Sequence, residues 1–134
     1  MTRSAALWGC FLFALGLLGG CGDGGPGKTG PAGPTRQEEL TDLAELLREA
    51  AANKQKMPAK VADLEPHEPP HPVAVIAMQR GEVVYAWGVG LSAGTGILAY
   101  EKGAERAGGW VLLQDGTVKQ LSADEFKAAP KAKK

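Results

Sequence analysis

The sequence predicts an α+β fold, with one N-terminal helix packed on a small antiparallel sheet of three or four strands. Three observations carry that expectation. Leu40, Leu43, Ala44, Leu47, Ala50 and Ala51 recur at helical spacing, with Leu46 widening the stripe. Further along, short apolar runs such as Val83-Val84-Tyr85 and Ile97-Leu98-Ala99-Tyr100 are separated by glycine-rich connections. Two more runs flank Asp115-Gly116, a strong hairpin signal. A helix followed by a run of strands separates the two element types, which is the α+β pattern.

The first twenty residues read as an export signal rather than as part of the domain. Arg3 supplies a positive start, and residues 5–18 form an almost unbroken apolar run. That run is shorter than the roughly 20 residues a permanent spanning helix needs, so it fits the apolar region of a secretory signal. Leu18-Gly19-Gly20-Cys21 follows directly. This stretch resembles the lipobox of bacterial lipoproteins, and the resemblance implies cleavage before Cys21 and diacylglycerylation of its thiol. A peptidase needs close access to an extended backbone, which suits the two glycines. Two or more acyl chains would then supply lasting membrane attachment, at about 0.8 kcal/mol per buried methylene.

With Cys10 in the discarded signal and Cys21 lipidated, the mature chain keeps no thiol for a disulfide, metal or nucleophile. Cleavage removes one basic residue, Arg3, leaving fourteen basic side chains against fifteen acidic ones. That balance does not point to a nucleic-acid partner. Residues 21–34 are rich in glycine and proline without hydrophobic periodicity, and are formally divisible into four collagen-like triplets from Gly24. A tether holding the domain off the lipid surface is the preferred reading.

The domain is expected over residues 35–127, near the small end for a self-sufficient core. Thr35-Arg36-Gln37-Glu38 has the form of a capping box, opening a helix over residues 36–52 that stops at Asn53. Residues 57–64 suggest one short helical turn with Pro58 near its start and Val61 and Leu64 facing inward. Residues 66–72 are expected to be irregular, and residues 73–79 fit either a buried strand or a short helix. Strands follow at 82–89, 97–100, 110–114 and 117–121, the last two joined by a two-residue type I′ turn at Asp115-Gly116. Ser122-Ala123-Asp124-Glu125 repeats the capping box before a final turn bearing Phe126. Residues 128–134 are expected as a loose basic tail.

His67-Glu68-Pro69-Pro70-His71 matches the zinc-protease pattern H-E-x-x-H letter for letter. That chemistry needs both histidines on one face of a helix, with the Glu beside a metal-bound water. Pro69 and Pro70 donate no backbone hydrogen bonds, and each proline disfavours the helical region for the residue before it. In an extended polyproline form four residues advance about 12 Å, so the two imidazoles need not converge. Hence no protease is expected. His67 and His71 remain weak metal candidates, joined by Asp63, Glu65 or Glu68, against a plain solvated loop. The glycines of residues 88–96 lack both the P-loop and the dinucleotide-binding spacing. Ser92 and Ser122 have no histidine placed as a base. Tyr85, Trp87, Tyr100 and Trp110 are expected in the core rather than on a ligand-binding face.

Residues 51–64, where the helix passes through Met57-Pro58 to Asp63-Leu64, together with Gly108-Gly109-Trp110-Val111-Leu112-Leu113-Gln114-Asp115-Gly116-Thr117-Val118, resemble the soluble domain of type II secretion pseudopilins. The resemblance implies a helix-then-sheet fold over residues 40–121. Pseudopilins also carry a Gly-Phe-Thr-Leu-type peptidase site and a Glu in a long apolar N-terminal helix, and this chain has a lipobox and tether in their place. No filament assembly and no calcium site is carried over. The functional expectation is therefore a lipid-anchored protein of the bacterial cell envelope. It would act as a non-enzymatic interaction or structural module without a cofactor, attached to the membrane and available to an envelope protein partner. The alternative is a small-ligand or metal-binding lipoprotein.

Overall fold

The computed structural model describes residues 33–134. The signal, the processing site at Leu18, Gly19, Gly20 and Cys21, and the tether as far as residue 32 lie outside the described residues. The elements run α1 (Arg36–Ala52), a 3-10 helix (Val61–His67), α2 (Pro72–Gln79), β1 (Val83–Tyr85) and β2 (Ile97–Glu101). They continue as α3 (Ala104–Ala107), β3 (Gly109–Leu113), β4 (Val118–Leu121) and α4 (Ala123–Ala128). Among the described residues no helix is long and apolar enough to cross a membrane.

Helix α1 starts and stops for local reasons. The Thr35 hydroxyl accepts from the Glu38 N–H at 3.3 Å, and Glu38 Oε2 accepts from the Thr35 N–H at 2.6 Å. At the other end Asn53 is the cap, and Lys54 takes the left-handed conformation with φ 53°. Its N–H bonds to Ala51 C=O at 3.1 Å and that of Gln55 to Ala50 C=O at 2.8 Å. This pair of bonds is a Schellman ending, made with lysine where glycine is usual. The buried face holds Leu40, Leu43, Ala44, Leu46, Leu47 and Ala50, whereas Ala51 is exposed.

Residues 73–79 belong to helix α2. Pro72 stands at its first position, where a missing N–H costs nothing and the fixed φ favours helix. The preceding helical segment begins at Val61 rather than near Pro58. It buries Leu64, but leaves Val61 exposed.

The four strands form an antiparallel meander in the order β1-β2-β3-β4. Strand β1 is shorter than expected because the chain leaves the sheet at Ala86 and turns at Gly88, where φ is 76°. The Tyr85 hydroxyl holds that turn by donating to Val89 C=O. Helices cover both faces of the sheet rather than one. Trp110 and Leu112 of β3 pack toward α1, while Val111 and Leu113 join Ile97, Leu121 and Phe126 on the side of α3 and α4. Between β2 and β3 the register slips between Ile97 and Ala99, so that Ile97 faces Leu113 and Ala99 faces Leu112. The extra residue of this bulge is Leu98. It lets Ile97 pack on one face while Leu98 and Ala99 both bury on the other.

The aromatic residues are divided between the same two faces. Tyr85 is buried on the α1 side with Trp87 edge-on at 5.2 Å, and Tyr100 meets Phe126 edge-on at 4.9 Å on the other side.

Two further expectations need correction. The β3–β4 connection is a three-residue loop, Gln114-Asp115-Gly116, not a two-residue type I′ turn. Gly116 N–H bonds to Leu113 C=O at 3.0 Å and Leu113 N–H to Thr117 C=O at 2.9 Å. Only Gly116 has positive φ, at 87°, which is the turn-plus-bulge arrangement with glycine in the left-handed position. Nor is the C-terminal stretch loose. Pro130 C=O accepts from Ile97 N–H at 2.8 Å and Ala132 N–H donates to Ile97 C=O at 2.9 Å, alongside β2. Lys131 lies 3.3 Å above the Phe126 ring and donates to Phe126 C=O.

Candidate functional site

The H-E-P-P-H segment is neither extended nor a zinc-protease helix. His67 ends the 3-10 helix, Glu68 takes helical angles despite preceding a proline, and His71 N–H closes a turn onto His67 C=O at 2.9 Å. The two prolines fit because this turn asks for no hydrogen from either of them. The segment is thus more compact than the extended form expected from proline stereochemistry. Even so, the two histidines part company. His67 lines a groove with Glu49, Lys56, Asp63 and Pro70, whereas His71 turns inward against α1.

His71 is a buried residue, 7% exposed, and not part of a solvated loop. Its Nδ1 lies 2.8 Å from Asp42 Oδ1 and its Nε2 lies 2.9 Å from Glu49 Oε2. Asp42 Oδ2 meanwhile accepts from the Ala74 N–H at 2.9 Å. That bond caps α2, for which His71 supplies no side-chain cap of its own. A single carboxylate of α1 therefore holds both the imidazole and the start of the next helix. Burial disfavours the charged imidazole, but hydrogen bonds and charge from Asp42 and Glu49 outweigh it and hold its pKa above the ordinary range. Both ring nitrogens donate only in the imidazolium form, which the two carboxylates favour.

Asp42, Glu45 and Glu49 lie three, four and seven residues apart, on one face of α1. One ligand atom each of Asp42, Glu45 and His71 fall within 4.8 Å of one another. Among the described residues this grouping does not include His67, Asp63, Glu65 or Glu68. Asp63 is otherwise engaged, its Oδ2 accepting from Ala59 N–H at 2.9 Å. The carboxylates now found at His71 are remote in sequence, 29 and 22 residues away, so spacing near the histidine could not reveal them. The available signal was the acidic stripe itself, three like charges on one helix face with no basic residue interleaved at i+3 or i+4 from Asp42.

A second charged group ties α1 to the residue just before β1. Arg36 Nη1 reaches Glu39 at 2.6 Å and Glu82 at 2.9 Å, keeping the buried Glu39 paired. The two serines of the described residues serve local structure. Ser122 Oγ caps α4 through Glu125 N–H, and Ser92 Oγ accepts from Gly94 N–H. No protein-family model, curated protein or solved structure matches the chain.

Proposed function

We propose that this chain is a lipid-anchored protein of the bacterial cell envelope whose small domain acts as a non-enzymatic interaction module. The observation that carries the reading is Leu18-Gly19-Gly20-Cys21 placed directly behind an apolar run of signal length. The Gly/Pro-rich stretch that follows supports it, since such a linker gives a tethered domain reach from the lipid surface. The use of Ser92 and Ser122 in local backbone contacts fits a domain without a serine nucleophile.

The test is Cys21→Ser. The parent chain should partition into detergent and incorporate labelled palmitate, and the variant should do neither. Persistence of the variant in the detergent phase after signal removal would refute the lipid anchor. Crosslinking of the parent in intact cells should recover the same envelope protein repeatedly. Recovery of none, together with turnover of a substrate, would refute the interaction role.

A further inference from the structure

We propose that Asp42, Glu45 and His71 form a binding site for a first-row divalent transition cation, with zinc as the representative ion. The site is distinct from the H-E-P-P-H reading, because it draws its carboxylates from α1 and omits His67. It is also independent of whether the chain is lipidated.

The geometry divides the labour between the two ring nitrogens of His71. Nδ1 faces Asp42 and Nε2 faces Glu49, and a carboxylate oxygen of Glu45 lies within 4.8 Å of ligand atoms of both Asp42 and His71. A cation on Nδ1 would leave Nε2–H donating to the Glu49 carboxylate. That outer carboxylate fixes the tautomer and ring orientation and raises the basicity of the ligating nitrogen. Glu49 thus orients the ligand rather than touching the ion.

The distances allow insertion with small movements. Ligand atoms held about 2.0–2.2 Å from a tetrahedral ion lie roughly 3.4 Å apart. Asp42 and His71 stand 2.8 Å apart and need to open by about 0.6 Å. Glu45 is exposed and forms no ion pair among the described residues, so its side chain is free to close the remaining span. Asp42 is held in place by its second oxygen on Ala74 N–H, which preorganises one ligand without consuming the oxygen that faces His71.

Charge and access agree with this assignment. Asp42, Glu45 and Glu49 crowd three negative charges onto one helix face, an arrangement that costs free energy when uncompensated. A divalent ion would offset two of them in place of the Nδ1 proton. Asp42 and Glu45 also line an open groove of about 700 Å³ with Thr41 and Val73, which leaves room for water in the remaining coordination positions. One imidazole with two carboxylates and no thiolate suits zinc, manganese or a neighbouring ion, and the nitrogen ligand disfavours calcium and magnesium.

The experiment is zinc titration of the full-length chain in detergent micelles at pH 7, followed by calorimetry and by the imidazole resonances of both histidines. The parent should bind one zinc and shift the His71 resonances while leaving those of His67 in place. Glu45→Gln should weaken binding at least about tenfold without altering the fold, since Glu45 is exposed. Glu49→Gln should weaken it about tenfold through loss of ring orientation, and His67→Asn should bind as the parent does. Calcium at equal concentration should not displace zinc. The proposal is overturned by absence of zinc binding, by parent-like affinity in Glu45→Gln, by loss of binding in His67→Asn, or by calcium displacing zinc from His71.

Discussion

Gly108→Ala tests the packing of the sheet's second face at one methyl group. Gly108 closes α3 with φ 76° and ψ 172°, a combination open to glycine and strained for any residue with a Cβ by about 1–3 kcal/mol. Sterics add to that strain. A Cβ built there would lie 2.6 Å from Leu121 C=O, 3.0 Å from Ser122 Cα and 3.0 Å from Ala123 N. All three are backbone atoms at the β4–α4 junction, so no side chain can swing aside, and overpacking of this kind costs about 1–3 kcal/mol. The expected loss is about 3–4 kcal/mol. A domain of this size has about 5–15 kcal/mol of stability in all, so the variant should fold but only marginally.

Urea unfolding of residues 33–134 measures it. With a slope of about 1–1.5 kcal/mol per M, the midpoint should fall by about 2–4 M. Gly116→Ala is the control, because φ there is also positive, at 87°, but the new Cβ would meet only the Arg48 guanidinium at 2.8 Å. That group is the far end of a flexible side chain, so the cost should be limited to the backbone preference, about 1–2 kcal/mol. A Gly108→Ala midpoint within about 0.5 M of the parent, or one above that of Gly116→Ala, would refute the account of this junction.

Three further outcomes are expected. Tyr85→Phe should cost about 1–2 kcal/mol, because it leaves Val89 C=O without its buried donor, and amide exchange should quicken across residues 86–91; unchanged exchange there would show that the hydroxyl does not hold the loop. Burial pushes the Tyr85 hydroxyl up to about 12, so that same bond should survive to high pH. Acid should weaken both helix starts. Backbone N–H donors at Thr35 and Ser122 hold Glu38 and Glu125 below the usual carboxylate range, so their contribution is present above the unfolded-state pKa and is lost as pH falls through the folded-state values. Urea midpoints should therefore drop between neutral pH and the acid range, and replacing both glutamates with glutamine should flatten that part of the profile.

Some elements were legible because their causes are local. Helix α1 announces itself through a capping box at Thr35 and Glu38 and a leucine stripe, and it begins and ends where that pattern does. The capping box at Ser122 and Glu125 opens α4 in the same way. For Asp115-Gly116 the hairpin was readable and its turn type was not. A two-residue and a three-residue loop both want a positive-φ glycine, and only the strand register chooses between them.

What tertiary structure decided was every feature whose partner lies far along the chain. Residues 73–79 were ambiguous because a run of six apolar residues, Val73 to Met78, suits strand and helix alike. Their helix is secured by Pro72 at its first position and by Asp42, 32 residues away, capping Ala74. His71 in sequence is one histidine of a solvated, proline-rich motif, but in the fold it is the buried link between α1 and α2. Its neighbours are chosen by how two helices pack, a property no spacing around residue 71 encodes. The C-terminal residues read as a solvated tail for the same reason, since their stabilising bonds go to Ile97. Capping, helical periodicity and turn chemistry act within a few residues and are therefore written in the sequence itself. The acidic site around His71 exists only once burial of the leucine stripe on α1 brings the start of α2 against its acidic edge.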